Sequence, residues 1–138
     1  MKNWEHRITP DLITNLGDNE IFIFGSNFSG RHGKVAAKTA VGWGAKWGQA
    51  AGLQGRTYGI PTKDASIRRT LTIAEIKPYI DEFIEFAKAH PELTFLVTEI
   101  GTGLATHKHK DIAPLFQEAI DLENVHLPSK FWHKLIKV

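Results

Sequence analysis

The chain is 138 residues long, has no cysteine, and carries 17 Lys and Arg against 15 Asp and Glu for a formal net charge of +2 at pH 7. That length suits a single domain over 1–138, able to bury roughly two thirds of the surface its unfolded chain exposes, and the lack of cysteine excludes disulfides, thiolate nucleophiles and cysteine zinc sites. The mild positive balance permits an acidic ligand and speaks against nucleic acid as the main partner.

From Met1 to Arg7 the residues lack the apolar core of a signal peptide. No apolar run approaches the ~18 residues of a membrane span, so no membrane partner and a cytoplasmic location are expected. Ile21-Phe22-Ile23-Phe24 predicts a buried strand over 20–25. It empties through Gly25-Ser26-Asn27 and a loop holding Gly30 and Gly33 into Val35-Ala36-Ala37-Lys38, which predicts a helix over 34–48, weakened in its second half by Gly42 and Gly44. On that helix Trp43 and Trp47 stand four apart and are expected in the core, with stacking on a base, together with Phe28, as the alternative. Thr57-Tyr58-Gly59-Ile60 predicts a short strand closed by Pro61, and 64–70 a polar loop.

Thr72 opens the clearest helix, with Glu75 at the reciprocal position of a capping box. Ile73, Ile76, Ile80, Phe83, Ile84 and Ala87 make one apolar face, Pro78 costs a backbone bond in the second turn, and Pro91 stops the run. A second buried strand is predicted over 94–100, then a helix capped by Asp111 that buries Ile112, Leu115, Phe116, Ala119 and Ile120, then a strand over 124–127 ended by Pro128. The tail, with Phe131, Trp132, Leu135 and Ile136, is apolar enough to dock on the body.

Alternating strands and helices imply a parallel sheet with helices on both faces. Right-handed crossovers then bring the loops after residues 25, 60 and 100 to one sheet edge, where such folds bind ligands. Glycines let backbone N–H groups approach a phosphate, and a helix start adds partial positive charge. The candidate cradle is therefore Gly25, Ser26, Asn27, Gly30 and Gly33, faced by Gly101, Thr102, Gly103, Leu104 and Ala105 after the second strand. At the same edge Thr62 and Lys63 are placed to meet a phosphate, and Asp64 a sugar hydroxyl or a water. His32 offers an imidazole for acid-base work. His107-Lys108-His109-Lys110 and Arg68-Arg69 read as solvated basic loops. No metal set, Walker motif, Rossmann spacing or nucleophile elbow is present.

Gly25-Ser26-Asn27, then Gly30-x-His32-Gly33-x-x-Ala36, and later Ile100-Gly101-Thr102-Gly103-Leu104 ahead of a helix resemble the macro domain over roughly residues 20–122. The likeness is to the branch that removes ADP-ribose from proteins or dephosphorylates ADP-ribose 1''-phosphate. The resemblance implies a three-layer α/β/α sandwich with a mostly parallel, mixed sheet. It implies Asn27 on the distal ribose, Gly30 to Lys34 as the glycine-rich catalytic loop, and Gly101 to Ala105 around the diphosphate. The expected ligand is ADP-ribose or an ADP-ribosylated protein, with no cofactor. The chain departs from the family at Lys34 and Val35, which replace glycines, and at Ala105, where the hydrolytic branch carries an aspartate. His32, Asp64 and Lys34 are then the candidates for a catalytic step. A non-catalytic nucleotide-binding module and, behind it, a nucleic-acid interaction protein are the alternatives.

Overall fold

The computed structural model describes residues 4–103 and 105–136. Its centre is a six-stranded sheet in the order β1-β6-β5-β2-β4-β3. The strands are β1 (Ile8–Thr9), β2 (Glu20–Asn27), β3 (Gly52–Gln54), β4 (Thr57–Lys63), β5 (Thr94–Val97) and β6 (Val125–Pro128). β2 pairs in parallel with β4 on one side and β5 on the other. β5–β6 and β6–β1 are also parallel, and edge strand β3 runs antiparallel to β4.

Side chains alternate across β2 with the period of a strand. Ile21 and Ile23 join the larger apolar cluster, with Tyr58, Ile60, Phe95 and Val97 from neighbouring strands. Phe22 and Phe24 enter a second cluster with Ala37, Ala40 and Ala45. A strand apolar on both sides needs cover on both, which is why its sequence reads as a continuous hydrophobic run.

The larger cluster is closed by α2 (Ile73–Ala89), whose Ile76, Ile80, Phe83, Ile84 and Ala87 are buried as the spacing predicts. Thr72 and Glu75 form the reciprocal capping box, and the helix continues through Pro78. Arg69 donates both guanidinium nitrogens to Glu75, at 2.8 and 3.1 Å. With those bonds leading and the Thr72 backbone N–H next, the Glu75 carboxyl is held down at about 2.

Several boundaries depart from the sequence expectation. The helix expected over 34–48 ends early, as α1 (Val35–Val41), because the chain turns back through Gly44 at φ +108° and Gly48 at φ +92°. β4 runs through Pro61 to Lys63. β3 pairs only as far as Gly59, so at Pro61 a missing N–H costs no ladder bond on that side. β5 stops at Val97, where the Thr98 hydroxyl donates to the Ile23 carbonyl at 2.7 Å and closes the ladder.

Asp111 does not cap a long third helix. α3 (His109–Ile112) starts after Lys108 without a side-chain cap, and a 3-10 helix (Ala113–Ala119) follows with Pro114 in its first turn. Ile112, Phe116 and Ala119 are nonetheless buried. The last strand extends to Pro128, which leads into α4 (Ser129–Leu135), with Phe131 and Trp132 docked in the core. β1 and β3, absent from the sequence reading, complete the two edges.

Arg7 ties the two ends of the chain together. It is only 3% exposed. Its guanidinium donates to the carbonyls of Ala119, Ile120 and Val125 at 2.7–3.1 Å. It also lies 4.9 Å from the ring centroid of Trp132, whose indole N–H donates back to the Arg7 carbonyl at 2.8 Å. Truncating this side chain removes a donor from each of the three carbonyls, of which that of Ala119 keeps the Leu122 N–H at 3.0 Å. Arg7→Ala is expected to cost about 3 kcal/mol in urea unfolding, and Arg7→Lys to recover only part of it, because an ammonium cannot span the three acceptors.

Candidate functional site

The parallel pairing of β4, β2 and β5 sends the segments that follow them to one edge of the sheet, where they enclose a cleft of about 420 Å³. The two glycine-bearing loops thus face each other across one cleft. Gly25, Ser26, Asn27, Gly33 and Lys34 line it from β2 and its loop. Thr62 and Lys63 come from β4, and Gly101, Gly103 and Ala105 from the loop after β5. Leu104, predicted in the same loop, lies outside the described residues.

The floor is built from small groups. Thr62 is buried and donates its hydroxyl to the Ser26 carbonyl at 3.3 Å. A Cβ at Gly25 would sit 3.4 Å from the Thr62 hydroxyl, and one at Gly101, which has φ +75°, would come within 2.8 Å of Ile112 Cδ1. Ser26 donates to the Ala50 carbonyl and is committed to the scaffold.

The first loop is braced by Asn27. Its amide oxygen accepts from the Ser29 hydroxyl at 2.6 Å and the Arg31 N–H at 3.1 Å, while its amide nitrogen donates to the Arg31 carbonyl at 2.8 Å. Asn27 borders the cleft mainly as the residue that shapes it. Gly30 holds the loop from behind: its φ is +68° and an added Cβ would lie 2.4 Å from the Gly48 carbonyl carbon.

The other predicted residues divide. His32 does not line the cleft; it is 1% exposed, edge-on to Phe24, with Nε2–H donating to the Gln49 carbonyl at 3.1 Å. It pins the loop to the segment at 47–49. Asp64 also stands off the cleft. Its carboxylate accepts from the Ser66 hydroxyl at 2.6 Å and the Ser66 backbone N–H at 3.1 Å, and the first of these bonds leads in holding its pKa below the usual aspartate value. A carboxylate stabilised in its ionised form is a poor base. Thr102 is spent on the Glu99 carbonyl, to which its hydroxyl donates at 2.8 Å. Among the three catalytic candidates only Lys34 reaches the cleft.

Other residues join that the sequence reading had not placed there. Arg31 lines the cleft and crosses to the Ala65 carbonyl at 3.2 Å. Arg31, Lys34 and Lys63 have no ion-pair partner among the described residues. Trp47 lines the cleft with 60% of its surface exposed, contrary to the expected core position, whereas Trp43 does pack on Phe22 at 5.1 Å. The reason is that α1 ends before either residue, so the helical spacing that paired them does not exist. Glu99 supplies the cleft's carboxylate. It falls where the polar pair Thr98-Glu99 interrupts an apolar run just before Gly101, a signal readable in the sequence. The basic loop is not simply solvated: His107 bonds the Leu71 carbonyl at 2.7 Å and His109 bonds Glu99 at 2.6 Å.

Backbone strain gathers here. Val35 (φ +51°) and Ile67 (φ +67°) line the cleft, and Thr106 (φ +66°) follows Ala105. All three are β-branched residues in the left-handed region, which costs on the order of 1–3 kcal/mol each. A second cavity, about 400 Å³, lies against Leu96 and His126 under residues 10–15 and includes neither glycine loop.

Comparison with protein-family models, with curated proteins and with solved structures returned no match for this chain.

Val35 is 70% exposed, so its side chain contributes little burial to set against the strain. Val35→Gly is expected to leave stability unchanged or raise it by up to about 1 kcal/mol, whereas Gly30→Ala is expected to lower it by about 2 kcal/mol or more. Urea unfolding of both variants checks the pair.

Proposed function

We propose that the chain binds a nucleoside diphosphate of the ADP-ribose type in the cleft at the ends of β2, β4 and β5. The observation that carries this reading is the convergence of two glycine loops with Arg31, Lys34 and Lys63 on one cleft. Backbone amides and unpaired cations at the carboxyl ends of parallel strands are what a diphosphate requires. The volume of about 420 Å³ falls in the range of small-molecule sites. Trp47 offers an indole face on which a base can stack. The helix start contributes less than the glycine pattern suggested, since α1 has 7 residues and no side-chain cap.

The arrangement also supports a macro-like reading of the fold. β2 buries apolar side chains in two clusters, one closed by α2 and α4 and the other by α1, as in a three-layer α/β/α sandwich with a mixed sheet. A cysteine-free chain suits a reducing cytoplasm. Binding is the half of the reading the site supports best. Ala105 stands where the resemblance implies an aspartate, and neither His32 nor Asp64 lines the cleft. If an ADP-ribosyl linkage is hydrolysed, water would attack the anomeric carbon while Lys34 stabilises charge on the departing group. A nucleic-acid role gains little from the basic segments Arg68-Arg69 and His107 to Lys110: Arg69 pairs with Glu75 and Asp64, and His107 and His109 are bonded within the structure.

Calorimetry with ADP-ribose tests this. Micromolar affinity is expected, with Lys34→Ala and Lys63→Ala each weakening it roughly tenfold, the loss of one charge-assisted contact. No binding up to millimolar ligand would overturn the reading. Incubation with ADP-ribosylated protein and with ADP-ribose 1''-phosphate then separates a hydrolase from a binding module.

A further inference from the structure

A carboxylate is out of place in a phosphate cleft unless it has its own task. Glu99 lines the cleft from the β5 side, whereas Lys63 comes from β4 and Arg31 and Lys34 from the loop after β2. Since β2 lies between β5 and β4, the cleft is polar along the sheet edge, with cations toward β2 and β4 and an anion toward β5. A ligand that fits must carry its negative charge at one end and hydrogen-bond donors at the other.

Glu99 is held for such a task. Its backbone is fixed by a tight turn in which the Thr102 N–H and hydroxyl both reach the Glu99 carbonyl, at 3.4 and 2.8 Å. The His107 N–H closes the same loop on the Gly101 carbonyl at 2.8 Å. On the side chain, His109 Nε2 lies 2.6 Å from Oε1, and Lys130 Nζ lies 3.9 Å from the same oxygen. Oε2 has no hydrogen-bond partner among the described residues. The carboxylate is thus anchored through one oxygen and leaves the other for a ligand. His109 was expected to be a solvated basic residue; its partner gives it a structural reason to be where it is.

We propose that Glu99, oriented by His109, reads the hydroxyl groups of the ligand's terminal sugar. This rests on the cleft being a nucleoside-diphosphate site. A carboxylate accepts from vicinal sugar hydroxyls in the way acidic residues select ribose in dinucleotide folds. Glu99 thereby sets the preference of this site for a nucleoside diphosphate that carries a hydroxyl-bearing terminal sugar over a bare nucleoside diphosphate. Glu99 is the specificity residue and His109 a positioning residue.

The test compares ADP-ribose with ADP, which keeps the base and diphosphate and lacks the terminal sugar. Calorimetry is run on the wild type, Glu99→Gln, Glu99→Asp and His109→Gln, each first shown by urea unfolding to fold. Glu99→Gln should weaken ADP-ribose about tenfold or more, the loss of a charge-assisted acceptor, and leave ADP within about twofold. Glu99→Asp, which keeps the charge, should recover part of the loss. His109→Gln should reduce the ADP-ribose to ADP preference by a smaller factor, which a merely structural role would not do. The proposal is overturned if Glu99→Gln weakens both ligands alike or leaves ADP-ribose unchanged. Wild-type protein that binds ADP as tightly as ADP-ribose overturns it while sparing the diphosphate cleft. Wild-type protein that binds neither overturns both.

Discussion

β2 pairs in parallel with β4 and with β5, and every feature of the candidate site follows from those two ladders. Because the three strands run the same way, the segments that leave their carboxyl ends are forced to the same edge. Because β2 is flanked on both sides and buried on both faces, its end is rigid. Its last residues, Gly25, Ser26 and Asn27, are therefore presented from a fixed platform. The register shift between Ser26 and Asn27 sits where pairing gives way to the loop. Bulges of this kind end a ladder and redirect the residues beyond it. Without the parallel order Lys34, Lys63 and Glu99 would not share a cleft.

The cleft's walls are made by loops that satisfy themselves. Asn27 holds the first loop, His32 ties it to Gln49, and Arg31 reaches the Ala65 carbonyl on the far side. Asn27 and His32, which the sequence suggested for ligand contact or chemistry, brace the loops that line the cleft. The left-handed backbone at Val35, Ile67 and Thr106 belongs to the same pattern. Strain persists where surrounding structure over-determines it, and functional sites are where it gathers.

Much of the architecture was legible because its causes are local. The capping box of Thr72 and Glu75 and the apolar face from Ile73 to Ala87 depend on residues within a turn or two of each other, and α2 follows them closely. The doubly apolar run of β2 was readable for the same reason. Features set by distant partners were not. β1 spans 2 residues whose strand conformation depends on Leu127 and Pro128. α1 ends at Val41 because the chain folds back to bring Trp43 onto Phe22 and Gly44 against Gly55, contacts that helical spacing cannot reveal. The edge carrying the cleft could be inferred from strand order alone. The division of labour within it could not, since whether His32, Asp64 or Glu99 faces a ligand depends on which hydrogen bonds the fold has already claimed.

The proposed nucleoside-diphosphate site is the cleft at the ends of β2, β4 and β5. Mapping backbone amide shifts by NMR during an ADP-ribose titration tests it most directly. Saturable shifts are expected at Gly25 to Lys34, at Thr62 and Lys63, and at Thr98 to Gly103, with the amides around Leu96 and His126 at rest. Shifts confined to residues 10–15 and His126, beside the second cavity, or no shifts at millimolar ligand, would contradict it.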